Sequence, residues 1–208
     1  MKWNNLMGIG FVIVASSYGC NNNNLSQNTE TEKAAKADVI KLPETEINYL
    51  SEGKKIAGEA QSVLGKNLMN AINTRGTKYA VEFCNIEAIP LTDSMAKLLG
   101  ASVKRVTDKP RNIKNQANEA ALMHIKNMKD EMGKGEMPKP AMVEINGKMV
   151  GYYAIVTNAM CLKCHGVKGR NIESETFKKI SVLYPSDKAT GYAANELRGM
   201  WVVEMDKR

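Results

Sequence analysis

Histidine is almost missing from this chain: 208 residues contain two, His124 and His165. Cysteine is nearly as scarce, at four, and the sequence has one C-x-x-C pair where a zinc ribbon needs two. No parallel α/β alternation surrounds that pair, which argues against a thioredoxin-type dithiol. Aromatic residues make up 6%, and no basic run is interleaved with them. The formal charge of +7 therefore reads as scattered surface lysine, with no expected nucleic-acid partner. The apolar run over residues 6 to 15 is too short for a comfortable membrane span.

What is present is concentrated near the C-terminus. Cys161-Leu162-Lys163-Cys164-His165-Gly166 is a C-x-x-C-H run, the attachment signature of haem c. Thiols three positions apart suit thioether bonds to the two vinyl groups on one porphyrin edge. The adjacent imidazole then lies beneath the ring, where it can bind iron as the proximal ligand. Cys161, Cys164 and His165 are thus the expected holders of one covalent haem c.

The first residues read as an address. Lys2 and the apolar run lead to Ser17-Tyr18-Gly19-Cys20. This resembles a bacterial lipoprotein leader, with residues 1–19 removed and Cys20 acylated. An ordinary secretory leader cut nearby is the alternative. Acylation predicts a membrane-anchored protein on the extracytoplasmic, periplasmic side, held by its N-terminal acyl chains. That is also the side on which haem c is attached. Residues 20–44 begin with an asparagine run and continue with small polar and charged residues, so they are expected to be a flexible tether. The domain proper is expected over residues 45–208.

Apolar residues at helical spacing predict a long amphipathic helix over about residues 45 to 73, ended by Gly76. It packs on its own core or, alternatively, pairs with a second copy as a homodimer. A second helix is predicted over residues 77 to 88, stopped by Pro90, and a short third over 93 to 99. On the second, Ala80, Phe83, Cys84 and Glu87 share a face. Cys84 is either a small buried hydrophobe or a second iron ligand. Residues 101 to 107 predict a strand and 115 to 132 a helix. His124 on that helix is a rival iron ligand or a core residue. Residues 141–145 and 148–156, joined by Asn146-Gly147, predict a hairpin with a type I′ turn. A helix over 174 to 180 and a strand over 199 to 206 complete an α+β domain.

Four further stretches carry a resemblance. They are Val81-Glu82-Phe83-Cys84, Arg105-Val106-Thr107-Asp108-Lys109-Pro110-Arg111-Asn112, the run from Tyr184 to Tyr192, and Leu197-Arg198-Gly199. With the C-x-x-C-H run, in this order and spacing, the chain resembles a bacterial single-haem c family classed as a domain of unknown function. The resemblance implies a PAS-like antiparallel sheet with flanking helices and a long N-terminal helix. It also implies that Cys84 is the iron ligand opposite His165. Two residues depart from the family pattern: Ile113 stands where a proline commonly follows Arg-Asn, and Asn195 where a glycine often precedes Leu-Arg-Gly.

Imidazole and thiolate together leave no open site at resting iron, and thiolate favours Fe(III). Three functions follow as expectations. The first is redox or small-gas sensing by ligand switching, acting through a redox or signalling membrane protein, since no output domain is expected in the chain itself. The second is a single-haem electron carrier. The third, a haem peroxidase, needs a vacant site that Cys84 would fill. Arg105 and Arg111, with Arg170 and Arg198, are the candidate partners of the haem propionates, because a guanidinium matches carboxylate geometry.

Overall fold

The computed structural model describes residues 48–208. The leader, the tether and Cys20 lie outside these residues. The first element, α1 (Tyr49–Leu98), is capped by the Asn48 side chain, which accepts from the Ser51 amide at 3.0 Å. Gly76 breaks it into two segments, taking φ 79° and ψ 177°, a conformation open essentially to glycine alone. The expected stop at Pro90 is a correction: the helix runs through the proline to Leu98. Ala88 and Thr92 on either side of it are buried, and the Thr92 hydroxyl donates to the Ala88 carbonyl at 2.8 Å. Tertiary packing there outweighs the ring's local clash and lost hydrogen bond.

β1 (Ser102–Val106) follows, then a short 3-10 turn (Ile113–Asn115). The helix expected from residue 115 starts later, as α2 (Glu119–Gly133), because the Asn118 side chain accepts from the Ala121 amide and caps it there. β2 (Ala141–Ile145) and β3 (Lys148–Val156) form the expected hairpin, with φ 51° at Asn146 and 74° at Gly147 as a type I′ turn requires. After α3 (Ala159–His165) and α4 (Ser174–Leu183), β4 (Leu197–Asp206) closes the chain. The sheet is antiparallel in the order β1-β4-β3-β2.

Alternation along β3 and β4 gives the sheet two apolar faces. Tyr153, Trp201, Val203 and Met205 meet Ile56, Ala57 and Ala60 of the first α1 segment. Val150, Tyr152 and Met200 meet Ala121, Ile125 and Met128 of α2. The first part of the long helix thus packs its apolar stripe on its own sheet. Gly53 makes that close approach possible, since a Cβ there would collide with the Tyr153 hydroxyl. A third cluster joins the second α1 segment to the C-terminal helices, through Val81, Ile172, Ile180 and Tyr184. The architecture is the expected α+β, PAS-like sheet with flanking helices and a long N-terminal helix.

The two departures noted above sit at ordinary places. Asn195 takes φ 63°, a left-handed conformation that asparagine tolerates better than most residues. Ile113 is exposed at the first position of the 3-10 turn.

Candidate cofactor site

A cavity of about 920 Å³ is lined by both segments of α1, the ends of β1 and β3, the start of β4, and α3. Leu64, Leu68, Met69 and Ile72 form one apolar wall, with Ile89, Val106 and Ile155 opposite or beside them. Cys84, Arg105, Arg111, Cys161, Cys164 and His165 all line it, so residues far apart in sequence converge on one space.

The C-x-x-C-H run needs a local structure that turns its thiols and imidazole the same way. It forms α3, because Asn158 caps it: the side-chain oxygen accepts from the Met160 and Cys161 amides at 3.0 and 3.2 Å. The Cys161 thiol also donates to that oxygen, at 3.3 Å. Helical spacing puts Cys161, Cys164 and His165 on one side. All three described cysteines are free thiols. Burial pushes the Cys164 thiol up to about 11. Gly166 then leaves the helix where no side chain fits, since a Cβ would collide with Asn171 and the Leu162 carbonyl.

His165 is fixed from behind. Its Nδ1 lies 2.7 Å from the Ala189 carbonyl oxygen, and Arg198 Nε lies 3.3 Å from the same Nδ1. Both cannot be hydrogen bonds to one nitrogen. A carbonyl at 2.7 Å requires Nδ1 to carry the proton, so the longer arginine contact is a close approach only. Nε2 is left bare, the state of a histidine that binds a metal. Burial, and then the charges of Arg111 and Arg198, hold the imidazole well below the usual histidine range, so it is neutral. Tyr192 stands edge-on to the ring, with centroids 6.4 Å apart.

Cys84 comes from the second α1 segment. Burial pushes its thiol up, while Arg105 and Arg111 pull it down. Arg105 lies across from Trp201 in the β1–β4 register, its guanidinium 5.7 Å from the indole ring. Burial lowers its pKa, yet an arginine remains charged. Among the described residues its guanidinium has no hydrogen bond and no ion pair, so its donors face the cavity, where a carboxylate could meet them.

The other candidate arginines are engaged elsewhere or lie outside the cavity. Arg111 lines the cavity, but its Nε and Nη2 engage both oxygens of Asp187, each at 3.2 Å, and its Nη2 also reaches the Cys164 carbonyl at 2.6 Å. Its fork is spent on an internal carboxylate. Arg198 donates to the Thr107 hydroxyl and the Lys109 carbonyl, behind His165. Arg170 is exposed and does not line the cavity. His124 is no rival ligand: it stacks on Tyr152, with ring centroids 3.9 Å apart, and lies outside the cavity lining. Among the described residues no three His, Cys, Asp or Glu side chains gather around one point, so a zinc alternative has no ligand set there. Asn158, Asp187 and Ala189 were missed as site residues. A signal existed for the first, a capping residue just before the C-x-x-C-H run.

Comparison with known proteins agrees with this reading of the fold. The family model described as Tll0287-like matches residues 24–205. No curated protein matches the chain. The crystal structure of the cyanobacterial heme-protein Tll0287 superposes with a TM-score of 0.52 at 19% identity, covering 76% of this chain and 92% of that one. At that identity the likeness speaks to fold alone.

Proposed function

The chain belongs to the Tll0287-like family, and from that premise we propose that it binds one haem c. In this reading Cys161 and Cys164 carry the thioether bonds, and His165 and Cys84 are the iron ligands. The observation that carries the proposal is the convergence of a capped C-x-x-C-H helix and Cys84 on one cavity. The residues fit the group. The walls are apolar, the lining includes Lys66, Arg105, Arg111 and Arg198, and it includes no Asp or Glu. Such a lining suits a flat apolar ring bearing carboxylates, and Arg105 is the side chain best placed to meet one of them. The structurally similar protein is itself a heme-protein.

When bound, the haem supplies a one-electron couple and a place where a small gas can bind if a ligand leaves. The chain supplies the asymmetry. His165 offers Nε2 because Ala189 holds its other nitrogen. Away from a metal, burial favours the Cys84 thiol over the thiolate, so Cys84 is a ligand only while a cation faces it. We therefore read the domain as a redox or small-gas sensor in which Cys84 is the ligand that lets go. The α1 segment that carries it would pass the change on. Residues 20–44 are the proposed tether to an acylated Cys20 on the extracytoplasmic face.

The decisive experiment is to make the mature protein in cells competent for cytochrome c maturation. The expected product is coloured and carries one haem in its intact mass; a colourless chain at polypeptide mass ends the proposal. Reduction under CO separates the two uses of such a site. CO uptake with loss of the thiolate spectrum supports sensing, whereas fast electron exchange with both ligands retained supports an electron carrier.

A further inference from the structure

A chain of contacts behind His165 is unused by the reading above. Asp187 and Arg111 are nearly enclosed, their side chains 9% and 12% exposed. Asp187 Oδ1 accepts from Arg111 Nε at 3.2 Å and from the Ala189 amide at 2.9 Å, and Oδ2 accepts from Arg111 Nη2 at 3.2 Å. The same Nη2 donates to the Cys164 carbonyl at 2.6 Å and approaches the Ala189 carbonyl at 3.3 Å. Nη2 has two N–H bonds, so one of them is shared between acceptors. The Ala189 oxygen therefore takes the imidazole proton of His165 on one side and the edge of a cation on the other. The loop is further pinned to the segment carrying Arg111 by the Lys188 amide, which donates to the Pro110 carbonyl at 3.0 Å.

We infer that Arg111 and Asp187 are positioning residues that set the orientation and donor strength of the His165 imidazole through the Ala189 carbonyl. The inference rests on the haem reading. The physics gives the two residues opposite effects. A cation on the carbonyl draws density from it and weakens its hold on the imidazole Nδ1–H, which makes Nε2 a poorer donor to a metal. Asp187 opposes this by neutralising the cation, and in so enclosed a pair solvent screens little of the balance. Without Arg111 the imidazole becomes the stronger donor and favours Fe(III). Without the Asp187 charge it becomes the weaker donor and favours Fe(II).

The test uses full-length mature protein carrying covalent haem, in wild type, Arg111→Gln and Asp187→Asn. The readouts are the midpoint potential in a dithionite titration and the thermal midpoint of each protein. The expected result is a lowered potential for Arg111→Gln and a raised one for Asp187→Asn. Each should shift the reduction equilibrium by about tenfold, which for one electron is about 59 mV, at the low end of losses from outer-shell substitutions. Potentials that move in the same sense, or stay put while the thermal midpoint falls, overturn the inference and leave a purely structural ion pair. If Arg111→Gln does not fold, Asp187→Asn decides by the sign of its shift, and Asp187→Glu should restore most of it. A wild-type product without haem overturns the haem reading and this inference together. Haem present with unshifted potentials overturns this inference alone.

Discussion

On one side of the cavity His165 is tied by the Ala189 carbonyl, by the Arg111–Asp187 pair behind it, and by backbone bonds from Gly191 and Tyr192 to Gly166 and His165. On the other side Cys84 rides on a helix segment set off by the Gly76 break. That segment is held by apolar packing of Val81 against Ile172, Ile180 and Tyr184, a buried hydroxyl pair between Thr77 and Thr176 at 2.6 Å, and a surface pair of Glu82 with Lys179. One wall is fixed mainly by directed hydrogen bonds, and the other mainly by apolar packing with one buried hydroxyl pair. Packing is non-directional and directed polar networks are not, so the two candidate ligands differ in how easily they can leave.

The largest effect should come from striking the two walls in turn. Cys161→Ser with Cys164→Ser is expected to abolish covalent haem altogether, as read by intact mass. Cys84→Ser should leave the haem attached, change the visible and EPR spectra, and raise the potential, because a thiolate donor is gone. An unaltered Cys84→Ser spectrum would remove Cys84 from the site and erase the asymmetry.

Glycine substitutions should give the next largest effect. Gly166→Ala puts a Cβ against Asn171 and the Leu162 carbonyl, an overpacking expected to cost about 1–3 kcal/mol and to lower the yield of attached haem. Gly76→Ala has open space around it, but its φ of 79° with ψ of 177° suits glycine, so about 1–3 kcal/mol of backbone strain is expected. Urea titration gives both losses. The comparison is sharpened if Gly76→Ala keeps its haem but alters the Cys84-dependent spectrum while Gly166→Ala does the reverse. Matching phenotypes would mean that the walls move as one.

Local signals made much of this legible in advance. Asn146-Gly147 announces its turn because few other pairs take two positive φ angles, and the stripe through Cys84 aims it inward because helical spacing is rigid. Elsewhere, distant residues decide. Pro90 carries a local penalty that the burial of Ala88 and Thr92 outweighs. Arg111 looks like any surface arginine until a carboxylate 76 residues away closes on it. Arg198, one candidate partner of the cofactor's carboxylates, lines the cavity but is also tied by hydrogen bonds to Thr107 and Lys109. The charge of an arginine is plain in a sequence, but its partner is a product of topology.

The smallest predicted effect separates two tyrosines, one with a hydrogen-bond partner among the described residues and one without. Burial pushes Tyr153 and Tyr184 up to about 12, from an ordinary value of 10.0. Raised folded-state values mean that the unfolded chain ionises first, so stability is intact below pH 10 and falls as pH rises toward about 12. The Tyr153 hydroxyl donates to the Leu50 carbonyl at 3.0 Å and pins the root of α1, while the Tyr184 hydroxyl has no partner among the described residues. Tyr153→Phe should therefore cost about 1 kcal/mol at neutral pH. Tyr184→Phe should cost almost nothing there. Both should flatten the alkaline decline, because each removes one group that resists ionisation in the fold. Thermal midpoints measured from neutral pH to about pH 12 check this. An equal neutral-pH loss for the two variants would show that the root of α1 gains nothing from the Tyr153 hydrogen bond, and that directed contacts do not set it apart from apolar packing.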